Sequence, residues 1–167
     1  MYQRVMIGLI VAAVVEVVLA ATASAQMFSR GNGLVNDAAY ALDRKQWDKG
    51  VSLVQEAFKS GELMPTNVPA AYNNLCIGLT GMRKFDDAIA ACDKAVAMKP
   101  RQWSFYNNRA NIFFYLGQYD RALAEYYKAM TFSPGDNVLM SNIGLTLKQR
   151  RVFGPGPGRD RDVEKSS

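Results

Sequence analysis

The sequence has 167 residues, of which 49% are apolar and 21% are charged, and this balance excludes a chain that is disordered throughout. It contains no histidine, so the most common general base and metal ligand are absent. The net charge is +5, and residues 148–167 contribute six basic and three acidic residues to it. A basic tail beside a nearly neutral body differs from the basic stripe of nucleic-acid-binding domains, so nucleic acid is not an expected partner.

The N-terminal segment has the features of an export signal. A basic residue precedes an apolar run, and Ala23-Ser24-Ala25 forms a small-x-small cleavage site before Gln26. The apolar run covers residues 5–21, which is 17 residues, and Glu16 interrupts it, whereas a membrane-spanning helix needs about 20. We therefore expect an exported, periplasmic protein that begins at Gln26. The alternative is a membrane-anchored protein held through residues 5–21.

A pattern of residue types repeats after 34 positions. Helical periodicity surrounds both copies, since apolar residues recur at i, i+3, i+4 and i+7, and Pro100 and Pro134 end the two units. A unit of this length cannot bury its apolar face alone and must stack on a neighbour. The first copy consists of Asn73, Asn74, Phe85, Asp86 and Ala88, and the second of Asn107, Asn108, Tyr119, Asp120 and Ala122.

These two units resemble the tetratricopeptide repeat. They have alanine where paired helices cross, an aromatic residue that opens the second helix, and a closing proline. A partial unit lies upstream with Gly50 in place of the usual alanine, and a last first-helix pattern lies downstream, while Arg83 stands where the family favours glycine. The resemblance implies an all-α fold, a right-handed solenoid of about three helix-turn-helix repeats plus a capping helix.

Four segments follow from this reading of the chain. They are a signal peptide (1–25), a linker (26–33), a tetratricopeptide repeat domain (34–150) and a disordered tail (151–167). The tail begins with alternating glycine and proline and continues with alternating charge, a composition that neither buries apolar surface nor sustains a helix.

Neither the carboxylates nor the cysteines indicate a catalytic or metal site. Asp48, Asp86 and Asp120 each follow an aromatic residue that opens a second helix, where an acid complements the helix dipole. Cys76 and Cys92 have no histidine to activate a thiolate or to complete a metal site. They form either a disulfide within one repeat, which an oxidising compartment permits, or two small core positions. We expect no catalytic residues, no metal and no cofactor.

The concave face that the resemblance implies carries a column of asparagines. Some proteins of the family hold peptides with such a column, because an amide can bond both the C=O and the N–H of a peptide unit. The alternative is that these amides hydrogen-bond one helix to the next. The column consists of Asn36, Asn74, Asn108 and Asn142, which are 38, 34 and 34 residues apart.

A neighbouring row is polar and aromatic without charge, as a groove for an extended peptide would be. The carboxylate-binding variant of the family would place lysine and arginine in the groove, but the matching positions here are uncharged, so an acidic C-terminal tail is not the expected ligand. The row consists of Asn73, Asn107, Asn111, Phe114 and Tyr115, and the uncharged positions are Val35, Ala39, Asn74 and Asn108.

These observations predict a non-catalytic protein–protein interaction module of the cell envelope that binds an extended peptide in its concave groove. The expected partner is another protein or peptide, and no small-molecule substrate is expected. Two alternatives stay open: a membrane-anchored scaffold or subunit of an envelope enzyme complex, and binding to anionic surfaces through the tail. Binding through the tail would be lost between low and moderate salt, whereas binding in the groove would persist.

Cleavage after Ala25 is the first testable prediction. The expected result is an exported protein whose intact mass corresponds to a chain that begins at Gln26, because the apolar run is too short to anchor it. Mass spectrometry of the exported protein measures this directly. Recovery of the chain with Met1 from the membrane fraction would instead make it an anchored scaffold.

Overall fold

The computed structural model describes residues 31–156, and these residues form seven helices and no strand. The predicted signal peptide and residues 157–167 of the predicted tail lie outside the described residues. The predicted all-α fold is confirmed. The helices are α1 (31–43), α2 (Trp47–Ser60), α3 (Val68–Gly81), α4 (Phe85–Met98), α5 (Trp103–Tyr115), α6 (Tyr119–Met130) and α7 (Asn137–Phe153).

The helices stack as antiparallel pairs. Helix α3 packs on α4 and α5 packs on α6, while the contacts of α2 with α3, of α4 with α5 and of α6 with α7 join one pair to the next. Helix α3 also contacts α5. The first helices of successive repeats therefore lie side by side and form one face of the stack.

Small residues lie where the helices cross. Cys76 and Ala110 on the first helices, and Ala88 and Ala122 on the second helices, are all 0% exposed. Larger side chains such as Tyr126, at 2% exposed, fill the space between these crossings. Alanine and cysteine allow the helix axes to approach closely, so the apolar faces of neighbouring helices interlock as a packed core requires.

The helix ends agree with the dipole interpretation of the acids. Asp48, Asp86 and Asp120 lie in the first turns of α2, α4 and α6, as predicted. Helix α7 begins differently, because the side chain of Asp136 accepts hydrogen bonds from the backbone N–H groups of Val138 and Leu139, at 2.9 and 3.1 Å. This N-cap starts a helix that has no acidic residue in its own first turn.

Both predicted boundaries of the repeat domain are corrected by the structure. Residues 31–33 are helical rather than part of a linker, and the Asn32 Oδ1 accepts a 2.8 Å hydrogen bond from the Asn67 side chain. This bond ties the start of α1 to the seven-residue connection 61–67. At the other end α7 continues to Phe153, beyond the predicted limit at 150. A tertiary contact thus accompanies the extension at the start, whereas residues 151–153 continue α7 with exposed side chains.

The last helix covers α6 with only one of its sides. Leu139 and Thr146 are both 0% exposed and form the buried side. The other sides are more apolar than the polar outer face that terminal repeats usually have. They expose Val138, Met140, Leu145, Leu147, Val152 and Phe153, each by 43% or more.

A disulfide joins Cys76 on α3 to Cys92 on α4, so it links the two helices of one repeat. The Cα atoms are 5.1 Å apart, within the range that disulfides require. Both residues are fully buried among Ala88, Ala91 and Ile112. The same positions would otherwise be ordinary small core residues, which is why the sequence leaves both alternatives open.

The disulfide leads to a prediction about stability. Reduction is expected to lower the free energy of unfolding by about 3 kcal/mol, because it releases a short closed loop in the unfolded chain. Denaturant unfolding with and without reductant measures the difference. The control is the double variant Cys76→Ala/Cys92→Ala, whose unfolding should not respond to reductant. Two free thiols in protein purified without reductant would contradict the bond.

Candidate functional site

Two adjoining hollows lie along the face formed by the first helices. The large hollow has a volume of about 360 Å³ and the small hollow about 170 Å³, and Asn111 and Tyr115 contribute to both. Together they form a groove that runs from α3 across α5 to α7. The large hollow is lined by Trp47, Ile77, Thr80, Gly81, Arg83, Phe85, Asn108, Asn111 and Tyr115, and the small hollow by Asn111, Phe114, Tyr115, Tyr126, Asn142, Leu145 and Thr146.

The asparagine column is bonded to the scaffold. The Asn108 side-chain NH2 donates to the Asn73 Oδ1 at 2.8 Å, and the Asn142 NH2 donates to the Asn107 Oδ1 at 2.8 Å. The donor and acceptor are 35 residues apart in both cases. In both cases an asparagine on the first helix of one repeat donates to an asparagine on the first helix of the preceding repeat.

Asn74 makes the equivalent bond one repeat earlier. Its NH2 donates at 3.0 Å to the backbone carbonyl of Val35, and its side chain is only 7% exposed. Asn36, at the start of the column, is exposed. The geometry therefore favours the helix-to-helix alternative for Asn74, Asn108 and Asn142, because one N–H of each amide is bonded within the stack.

Asn107 and Asn111 take part in the same network. Asn107 is buried and its NH2 also donates to the Asn108 Oδ1 at 3.3 Å. The Asn111 Oδ1 accepts a 2.5 Å hydrogen bond from the Tyr126 hydroxyl, and burial raises the pKa of Tyr126 well above its usual range. Tyr126 thus remains a neutral donor, and the Asn111 NH2 is the part of that amide left for a ligand.

The two predicted aromatic residues of the groove occupy different environments. Tyr115 is 59% exposed and borders both hollows. Phe114 borders the small hollow, but it is half-buried and packs on the core around Tyr126, with its ring 5.8 Å from that of Tyr119. Of these two residues, Tyr115 is therefore the one that a partner can contact, while Phe114 packs on the core.

Several residues of the large hollow come from the helix-turn-helix connections and were not predicted as site residues. The Trp47 indole lies against the backbone of Gly81, where any Cβ would collide with the ring. Phe85 forms another aromatic wall, and the Arg83 guanidinium lies 5.4 Å from its ring centroid. The sequence signals were present, since Trp47 and Phe85 open second helices and Arg83 departs from the family's glycine, but their convergence depends on the fold.

A charged cluster outside the two hollows, centred on Arg109, is satisfied within the scaffold. The Arg109 guanidinium donates to both carboxylate oxygens of Glu125, at 2.8 to 3.1 Å, and also pairs with Asp93. Burial lowers the pKa of Arg109, but the bonds to Glu125 and Asp93 outweigh burial and leave that pKa raised. No group of three or more metal-binding side chains occurs among residues 31–156.

None of the helices within residues 31–156 combines the length and apolar character that a membrane span requires. The apolar run at 5–21 lies outside the described residues, so the predicted signal or anchor stays a prediction.

Residues 79–137 match the model of the tetratricopeptide repeat family. A curated relative, the DnaJ homolog subfamily C member 3 homolog of Dictyostelium discoideum, is 22% identical over 116 residues. The match covers 70% of this chain and 23% of the relative, so the chain spans about a quarter of that protein's length.

Two solved structures have the same fold over most of this chain. The first tetratricopeptide domain of Spaghetti (RPAP3), bound to the HSP90 peptide SRMEEVD, has a TM-score of 0.62 at 15% identity and covers 72% of this chain and 92% of that one. The second such domain, TPR2B of yeast Sti1 in complex with an Hsp70 peptide, has a TM-score of 0.62 at 20% identity and covers 73% and 99%. At these identities the likeness concerns the fold.

The amide column generates a prediction about stability. Asn74→Ala is expected to lower the free energy of unfolding by about 1–2 kcal/mol, because a buried hydrogen bond to α1 is lost. The exposed Asn36 provides the matched control, and Asn36→Ala should change the free energy of unfolding by no more than about 0.5 kcal/mol. Denaturant unfolding measures both. If Asn74→Ala kept full stability and lost partner binding, the column would be a ligand surface after all.

Proposed function

Because this chain is a tetratricopeptide repeat protein, we propose that it is a non-catalytic protein–protein interaction module that holds an extended peptide in its concave groove. The Spaghetti and Sti1 domains of the same fold are described with peptides bound. Tetratricopeptide folds typically act as interaction scaffolds. The observation that carries the proposal is the pair of adjoining hollows on the first-helix face, which share Asn111 and Tyr115.

The dimensions of the groove suit an extended peptide. Adjacent packed helices lie about 8–10 Å apart, and an extended chain advances about 3.3 Å per residue, so each repeat faces roughly three peptide residues. Asn111 and Tyr115 lie where the two hollows meet, on α5. An exposed aromatic ring beside an amide can both pack on a peptide side chain and donate to its backbone.

The chemistry of the described residues supports a binding role over a catalytic one. Three acidic residues are held in ion pairs: Glu125 and Asp93 pair with Arg109, and Asp120 pairs with Arg150. A general acid or base needs a free position within reach of a substrate. The two hollows offer amides, hydroxyls, aromatic rings and the Arg83 guanidinium, and no carboxylate of residues 31–156 lines them.

We place this module in the cell envelope as an exported, periplasmic protein. Two features support the location: the signal-like residues 1–25, and a disulfide between Cys76 and Cys92 that an oxidising compartment would preserve. Membrane contact would then arise only if residues 5–21 stayed attached. A cytoplasmic location would leave the two cysteines reduced.

Substitution in the groove tests the proposed function. Residues 26–167 serve as bait in a pull-down from envelope extract, and Tyr115→Ala is expected to weaken partner capture about tenfold, because an exposed aromatic anchor is lost. Tyr127→Ala is the matched control, since Tyr127 is 50% exposed on α6 and borders neither hollow.

The outcomes separate the groove from the tail. Equal capture of the partner by the Tyr115→Ala and Tyr127→Ala variants would contradict binding in the groove. If removal of residues 154–167 abolished capture at low salt, the partner would bind through the tail instead.

A further inference from the structure

We propose that Arg83 is the specificity determinant of the groove and binds an acidic side chain of the peptide, next to a large apolar side chain in the large hollow. This inference rests on the proposed function and goes further by naming the ligand's chemistry. The ligand is an internal peptide segment in which Asp or Glu lies near an aromatic or long aliphatic residue.

The first observation is the backbone conformation of Arg83. It has a φ of 60°, in the left-handed region that favours glycine, and its counterpart one repeat later is Gly117 with a φ of 71°. An L-residue in this region costs about 1–2 kcal/mol. Backbone strain of this kind is found at functional sites, which makes Arg83 a candidate. Lys45 has a similar φ of 59° at the preceding turn, so the surroundings of Arg83 must distinguish the two.

The second observation is the charge of Arg83 in its surroundings. It is exposed, and within residues 31–156 it has no carboxylate partner, in contrast to Arg109 and Arg150. Among residues 31–156 it is also the only charged residue that lines the large hollow. Its guanidinium lies 5.4 Å from the Phe85 ring centroid, a contact that orients the group without neutralising it. An anion is the complementary partner.

The third observation is that the wall beside Arg83 is aromatic and apolar. The Trp47 indole lies flat against Gly81, which has no Cβ to keep the ring away. Phe85 and Tyr115 complete the aromatic lining of a hollow of about 360 Å³, large enough for one big side chain. The pocket and the cation are thus adjacent, because Arg83 and the three aromatic rings line the same hollow.

A single cation also favours an acidic side chain over a free C-terminal carboxylate. The matching groove positions that hold lysine or arginine in the carboxylate-binding variant of the family are Val35, Ala39, Asn74 and Asn108 here. Asn74 and Asn108 moreover each use one amide N–H within the stack. One arginine at the turn can pair one side-chain carboxylate of a peptide that continues past it in both directions.

The test uses the full chain and a library of peptides about ten residues long. The peptides are displayed so that their C-terminus is not a free carboxylate. The parent protein is expected to enrich peptides with Asp or Glu next to a large apolar residue. Arg83→Glu is expected to enrich Lys or Arg at the same position. For the best amidated synthetic peptide, Arg83→Gln should weaken binding about fivefold, the size of one exposed ion pair.

Glycine variants separate binding from folding. Arg83→Gly is expected to raise the melting temperature, because it relieves the strain of the positive φ. It is also expected to weaken peptide binding, because it removes the cation. Lys45 has a φ of 59° at the equivalent turn of the preceding repeat and does not line the large hollow. Lys45→Gly should therefore raise the melting temperature similarly and leave peptide binding unchanged.

The possible failures are distinguishable. If the parent and Arg83→Glu enriched the same peptides with equal affinity, while Tyr115→Ala still weakened them, the role of Arg83 would be overturned and the groove would stand. The same holds if binding required a free C-terminal carboxylate. If the parent enriched no peptide, both the proposed function and the role of Arg83 would be overturned.

Discussion

Close approach of the helices at small buried residues is the constraint on which the stack depends. Cys76, Ala88, Ala110 and Ala122 are completely buried at these crossings, so one extra methylene at any of them would have no space. Because the helices approach so closely, the first helices of successive repeats lie near enough for their amides to bond. The shape of the groove therefore depends on buried residues that a ligand does not contact.

Those amides couple the repeats in a directional way. Each bond runs from an asparagine to the helix before it, from Asn142 to Asn107, from Asn108 to Asn73 and from Asn74 to Val35. A hydrogen bond between buried or half-buried amides needs good geometry, so it fixes the register between adjacent first helices as well as adding stability. In a solenoid each repeat contacts only its neighbours. Such bonds therefore help to fix the orientation of each repeat relative to the preceding one.

The sequence predicted the helices well and the use of the groove residues less well. The 34-residue period placed the helix pairs and the buried alanines, because burial on one helix face leaves a periodic trace. It also placed Asn36, Asn74, Asn108 and Asn142 in one column, but periodicity cannot distinguish an amide that faces a ligand from one that bonds the adjacent helix. The turn edge of the large hollow escaped prediction because Trp47, Gly81 and Arg83 meet only through the turns.

The division of roles within the groove follows from these bonds. Since Asn74, Asn108 and Asn142 each use one amide N–H on the scaffold, we assign recognition mainly to residues outside the column. These are Tyr115, the Asn111 NH2, and Trp47 and Arg83 at the turn edge. Turns tolerate substitution better than packed helix faces do. A repeat protein built this way can change its ligand at the turns while the amides that hold its helices in register stay the same.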